Sequence, residues 1–105
     1  MLDQNLLKQL EGRGQHATAA GSATDCASRS FFPKLGIAED PVCGSAHCQI
    51  VPYWGSELGT DVIIALQASR RGGILYCKLT GNGRVEISGK ACLFAISEIQ
   101  SAALP

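Results

Sequence analysis

The chain has 105 residues, 46% apolar and 17% charged, with twelve glycines and a formal net charge of zero. That length makes one small domain and excludes a second, and the composition is that of a folded globule. The only basic cluster is Arg70-Arg71, so the massed Lys and Arg that hold phosphate backbones are missing and no nucleic acid partner is expected.

No apolar run of about 20 residues is present to cross a membrane as a helix. The start, Met1-Leu2-Asp3-Gln4-Asn5, lacks the positive and then apolar layout of a signal peptide, so a cytoplasmic setting is expected. The five cysteines (26, 43, 48, 77 and 92) are then reduced thiols; their odd number argues against a disulfide framework.

In chain order, Asp3 is suited to cap a short helix with Leu6, Leu7 and Leu10 on its apolar side, ended by Gly12. Residues 14–20 read as a strand and Gly21 to Asp25 as a turn-rich connector. Ser28-Arg29-Ser30-Phe31-Phe32 reads as a second strand, stopped by Pro33. A loop, Pro33 to Gly36, leads into the acidic turn at Glu39-Asp40-Pro41.

From Gly44 to Leu58 the pattern becomes helical, with Ala46, Ile50, Tyr53 or Trp54, and Leu58 on one side and Gly59 as the stop. Pro52 sits inside it and removes one donor, so a kink or irregular turn is expected. Tyr53, Trp54 and the isolated His16 read as structural residues. Val62 to Leu66 is a nearly continuous apolar run, as in a strand buried on both faces. Ile74 to Thr80 puts Leu75, Cys77 and Leu79 on one face. Gly81-Asn82-Gly83 supplies positive-φ residues for a hairpin, Val85 and Ile87 resume the alternation, and Lys90 to Ile96 is a last strand candidate. The fold class is α+β, with a mostly antiparallel sheet.

The chemistry concentrates in Glu39-Asp40-Pro41-Val42-Cys43-Gly44-Ser45-Ala46-His47. A helix start leaves backbone N–H groups unpaired and carries partial positive charge; Gly44 allows close approach and Ser45 adds a hydroxyl. Gly44, Ser45 and Ala46 are thus suited to hold a carboxylate or phosphate oxygen. Asp40, just upstream, would have its pKa raised by a bound anion, which suits a general acid or base. The same residues also suit a bare turn and cap. Cys43 is either a thiol activated by the helix start or a small buried filler. Cys43, His47 and Cys48 match no standard metal spacing, so no metal site is expected.

These residues resemble the second half of the PhzF-like, phenazine-biosynthesis-type isomerase and epimerase family. The resemblance is carried by Ser28-Arg29-Ser30-Phe31-Phe32-Pro33-Lys34-Leu35-Gly36-Ile37 and by Glu39 to Cys48. It continues through Pro52-Tyr53-Trp54, Leu58-Gly59, Gln67-Ala68-Ser69-Arg70-Arg71-Gly72-Gly73 and Arg84 to Ala91. It implies the diaminopimelate epimerase-like fold, in which two similar domains each wrap a sheet round a central helix and the site lies between them. By this resemblance residues 1–105 form a single domain of the C-terminal type, truncated on its N-terminal side. The implied chemistry is cofactor-independent proton transfer on a small anionic substrate, with Asp40 as acid or base and Gly44, Ser45 and Ala46 on the anionic end.

Two departures accompany it. Cys43 stands where the family motif has Thr, and a thiol acid/base role is one reading of it. The half that carries the family's catalytic Glu is missing. A partner is therefore implied, either a second copy in a homodimer or a separately encoded first half. The competing reading is a catalytically inactive remnant, or a module that only binds small anions.

Overall fold

The computed structural model describes residues 2–103. Helix α1 (Gln4–Gln9) is followed by strands β1 (Gln15–Ala20), β2 (Cys26–Phe32) and β3 (Ile37–Asp40), helix α2 (His47–Leu58), and strands β4 (Val62–Gln67), β5 (Gly73–Leu79) and β6 (Val85–Ser88). The six strands form one sheet in the order β1-β2-β4-β5-β6, with β3 paired to β2. Pairing is antiparallel except between β2 and β4, which run parallel with Cys26 opposite Ala65 and Ser28 opposite Gln67. The α+β class is therefore observed.

Asp3 caps α1, its carboxylate accepting from the amides of Asn5 at 2.8 Å and Leu6 at 3.3 Å. Leu6 and Leu10 remain more than half exposed and Leu7 is half-buried, so no residue of this helix is buried in a core among the described residues. Lys34 Nζ donates to the carbonyls of Leu10 and Gly12 and ties the segment after α1 to a 3-10 turn at Pro33–Leu35.

One face of the sheet receives α2. Ile50 and Val51 pack with Cys26, Ile63, Ala65, Leu75 and Cys77, and Trp54, Leu79, Val85 and Ile87 flank them. The alternation expected in β5 and β6 holds: Leu75 and Cys77 point inward, with Val85 and Ile87 half-buried beside them. Helix α2 runs on through Pro52 and ends at Gly59, whose φ of 65° lets the amide of Thr60 reach back to the Gly55 carbonyl at 3.1 Å. Trp54 Nε1 donates to Thr18 Oγ1 at 2.8 Å, joining the helix to the edge strand β1, while Tyr53 is exposed. Among the hairpin residues Gly81-Asn82-Gly83, only Gly83 takes positive φ.

Several expectations need correction. The segment before the acidic turn is no plain loop: after the 3-10 turn, Ile37 to Asp40 pairs with β2 as a short strand. Helix α2 begins at His47, because Gly44 to Ala46 form tighter turns whose carbonyls accept from the amides three residues on, at 3.0–3.1 Å. Strand β4 is buried on one face only; Val62 and Ile64 are 55% and 39% exposed. No strand forms over Lys90 to Ile96, where Leu93 and Phe94 stand in the open, because β6 ends at Ser88 and no described residue pairs with this segment.

Candidate functional site

The turn between β3 and α2 lies at the C-terminal end of β4, and its backbone is tied at nearly every residue. Asp40 ends β3 opposite Ser30. Its carboxylate Oδ1 accepts from the Val42 amide at 3.0 Å, and its carbonyl accepts from Gln67 Nε2 at 2.8 Å. The Pro41 carbonyl accepts from Ser69 Oγ at 2.6 Å. The Cys43 amide donates to Gln67 Oε1 at 2.6 Å, and the Cys43 carbonyl accepts from His47 Nδ1 at 2.7 Å.

Beyond Cys43 the pattern changes. The amides of Gly44, Ser45 and Ala46 donate to no group among the described residues, whereas their carbonyls are all paired into the first turn of α2. Three successive N–H groups are therefore left at the positive end of a 12-residue helix. Gly44 has open space where a side chain would stand and no positive φ, so nothing within the chain demands a glycine there. Cys43 Sγ lies 3.4 Å from Ser45 Oγ, which brings those two expected residues together. Cys43 is buried, Ser45 is exposed and Asp40 is half-buried.

Three open hollows border the turn. One, of about 380 Å³, is bounded by Arg13, His16, Phe32, Ser45, Ala46 and Gln49. A second, of about 560 Å³, is bounded by Val42, Gly44, Arg71, the start of β5 and the end of β6. The third, of about 440 Å³, lies between Glu39, Pro41, Ser69, Arg70 and Arg71. Ser45 and Gly44 thus open to different sides, and Asp40 lines none of the three. The two acids also differ: Glu39 is held by a two-point pair with Arg29 at 2.8 and 2.9 Å, which keeps its carboxyl below the usual range. Asp40 has no basic partner among the described residues.

His47 is fully buried. With Nδ1–H spent on Cys43, its Nε2 has no partner among the described residues, and burial holds the ring below the ordinary histidine pKa. His16 sits nearby, half-buried, its Nδ1 3.0 Å from Ser30 Oγ, and its pKa is lowered by burial and then by His47. All five thiols are free; Cys26, Cys43 and Cys77 are buried and Cys77 is pushed up to about 11 by burial. No group of three or more His, Cys, Asp or Glu side chains converges on a metal position among the described residues.

Residues 3–96 match the sequence profile of the phenazine biosynthesis-like proteins (PhzC-PhzF). The chain belongs to that family. It is 47% identical over 94 residues to an uncharacterized isomerase of Pseudomonas aeruginosa, covering 90% of this chain and 36% of that protein. An uncharacterized isomerase of Halalkalibacterium halodurans is 44% identical over 97 residues, with the same two shares. The crystal structure of a phenazine biosynthesis PhzC/PhzF protein from Clostridium difficile superposes with a TM-score of 0.86 at 42% identity, covering 95% of this chain and 39% of that one. The chain spans little more than a third of the length of these family members. The resemblance first seen in the turn motifs therefore extends to the whole fold.

Sequence reasoning missed Gln67 and Ser69 as parts of the site's architecture, and it weighed His47, inside the motif, only as a metal ligand rather than as the ring that holds the Cys43 carbonyl. One signal was present: Gln67 continues the inward register of Ile63 and Ala65, so a polar side chain had to be buried and partnered.

Proposed function

We propose that this chain supplies one half of the active site of a PhzF-like isomerase or epimerase acting by cofactor-independent proton transfer on a small carboxylate-bearing substrate. The observation that carries the reading is the run of three amides at Gly44, Ser45 and Ala46 without a partner among the described residues, in the same turn as an acid without a basic partner, Asp40. The amides and the Ser45 hydroxyl hold the substrate's anionic end. Asp40 takes a proton from the carbon next to the activating group, or returns one to it, on the face turned toward this half. The Cys43 thiol is the second acid/base candidate, close enough to Ser45 to act with it.

Transfer on both faces of a carbon needs a group on each side. The second comes from a partner, either another copy of this chain or a separately encoded first half, in a cytoplasmic, two-domain arrangement of the diaminopimelate epimerase type. The greater length of the family members, about two and a half times that of this chain, supports this reading.

The test is solvent deuterium wash-in at the α-carbon of a panel of small carboxylic and amino acids. Wash-in should fall by about a hundredfold to ten-thousandfold in Asp40→Asn, the scale of losing a general acid or base. Cys43→Ser separates a thiol acid/base, which loses exchange, from a filler, which keeps it. A second reading is favoured by one detail: Asp40 already accepts a hydrogen bond from Val42, as in a simple turn. Wash-in absent from the wild type, with small-anion binding intact, would establish that reading of an inactive binding module.

A further inference from the structure

The segment Gln67-Ala68-Ser69-Arg70-Arg71-Gly72-Gly73 takes no part in the proton transfer, although it is among the stretches that carry the family resemblance. Its contacts fall in register on the turn. Gln67 holds the carbonyl of Asp40 and the amide of Cys43 with the two ends of one amide. Ser69 Oγ donates to the Pro41 carbonyl and accepts from the Gly72 amide at 2.9 Å, so the side chain that grips the turn also folds the loop. Gly73 lies against Val42, and a Cβ there would stand 2.4 Å from Val42 Cγ2. Residues 40, 41, 42 and 43 are thus each met by this one segment.

The segment is anchored where it grips. Gln67 ends β4 opposite Ser28 of β2, the next amide, Ala68, donates to the Ser28 carbonyl at 2.7 Å, and the Gln67 side chain has no exposed surface. Its amide can face only one way, since one end meets a donor and the other an acceptor. Ordering a buried side chain in the sheet fixes the turn before any ligand arrives, which lowers the cost of binding.

We infer that Gln67, Ser69 and Gly73 are positioning residues that set the spacing between the Asp40 carboxylate and the Gly44–Ala46 amides. This rests on the anion-holding reading of those amides. The frame acts on the site through the backbone; none of the three needs to touch a ligand.

The experiment is an NMR titration of the labelled full chain with inorganic phosphate, tracking the amides of Gly44, Ser45 and Ala46, with hydrogen exchange of the Cys43 amide measured in parallel. In Gln67→Met, which keeps bulk but not polarity, phosphate affinity should fall about tenfold and Cys43 exchange should rise about tenfold, while the β5 amides stay as they are. Gly73→Ala should weaken phosphate binding to a similar extent. The double change Gly73→Ala with Val42→Ala should restore it to within about threefold, because removing the Val42 methyls reopens the space. That rescue is a result that a general loss of stability would not give, and it stands even where Gln67→Met fails to fold. Unchanged phosphate affinity and Cys43 exchange in Gln67→Met, or no rescue by Val42→Ala, would overturn the inference. If phosphate moves none of the three amides in the wild type, the anion reading falls instead, and the frame is judged on the Cys43 amide alone: raised exchange supports it and unchanged exchange ends it.

Discussion

The turn from Asp40 to Ala46 and the outer face of the sheet are finished to different degrees. Much of the turn's backbone has a partner, while the three helix-start amides have none among the described residues. The outer face carries a bare apolar stretch: Ile64 stands opposite Tyr76 and Leu66 opposite Ile74, with Val62 next to them opposite Lys78, and Ile64, Ile74, Tyr76 and Val62 are all exposed. Residues 89–100, outside any helix or strand, add the exposed side chains of Leu93, Phe94, Ile96 and Ile99. The chain closes most hydrogen bonds of this turn within itself and leaves an apolar stretch of the neighbouring sheet face open. That contrast is what a piece of a larger site would show, since local hydrogen bonds close within the piece but apolar faces close only against the rest.

The sharpest way to break the comparison uses two adjacent residues of β4. Ile63 is fully buried and Ile64 is on the outer face. Ile63→Ala should cost about 2–5 kcal/mol in denaturant unfolding, and Ile64→Ala well under about 1 kcal/mol if the outer face stays in water. An equal loss at both positions, together with a concentration-dependent midpoint, would show the outer face covered in solution and would favour the second-copy form of the proposal.

A smaller effect tests the closed side of the comparison. His47 is buried neutral, so the unfolded chain takes up a proton near the ordinary value of 6.5 while the folded chain resists. The unfolded state then binds more protons, and stability falls as pH drops below 6.5 toward the lower folded value. His16 adds an effect of the same sign. Stability measured between pH 7 and pH 5 should therefore depend more steeply on pH in the wild type than in His47→Gln; equal slopes would show that this ring does not titrate with folding.

The smallest expected change concerns Gly44. With open space at its Cβ position and no positive φ, Gly44→Ala should leave stability unchanged or raise it by about 0.4–1 kcal/mol. The same variant should weaken phosphate binding at the neighbouring amides. A loss of stability would mark Gly44 as a glycine needed by the fold, and unchanged binding would remove it from the anion grip.

Much of this was legible in the sequence because it depends on local pattern. The period-two alternation of β5 and β6, the Asp3 cap and the Gly59 stop are all short-range effects, and all are present in the fold. Misreadings arose where the deciding partner lay elsewhere. Val62 to Leu66 is apolar on both sides, as a doubly covered strand should be, yet no second cover is found among the described residues. Lys90 to Ile96 has the composition of a strand, but a strand needs an edge to pair with. Within the site, the Asp-Pro-Val-Cys-Gly-Ser run was visible, while its frame was not. Gln67 lies 24 positions from Cys43 and 27 from Asp40, and only the sheet brings them together.

The parallel pairing of β2 with β4 has a consequence for how the molecule comes to fold. Cys26 meets Ala65 only after the chain has gone through β3, the turn and all of α2, so this contact closes a long loop and forms slowly compared with the β4–β5 and β5–β6 hairpins. The site lies inside that loop. Before closure, the Asp40 turn and Gln67 are on opposite sides of an unformed junction, and a nascent chain ending at Leu58 carries the residues of the grip without its geometry. The geometry of this turn is therefore completed only when β4 docks beside β2.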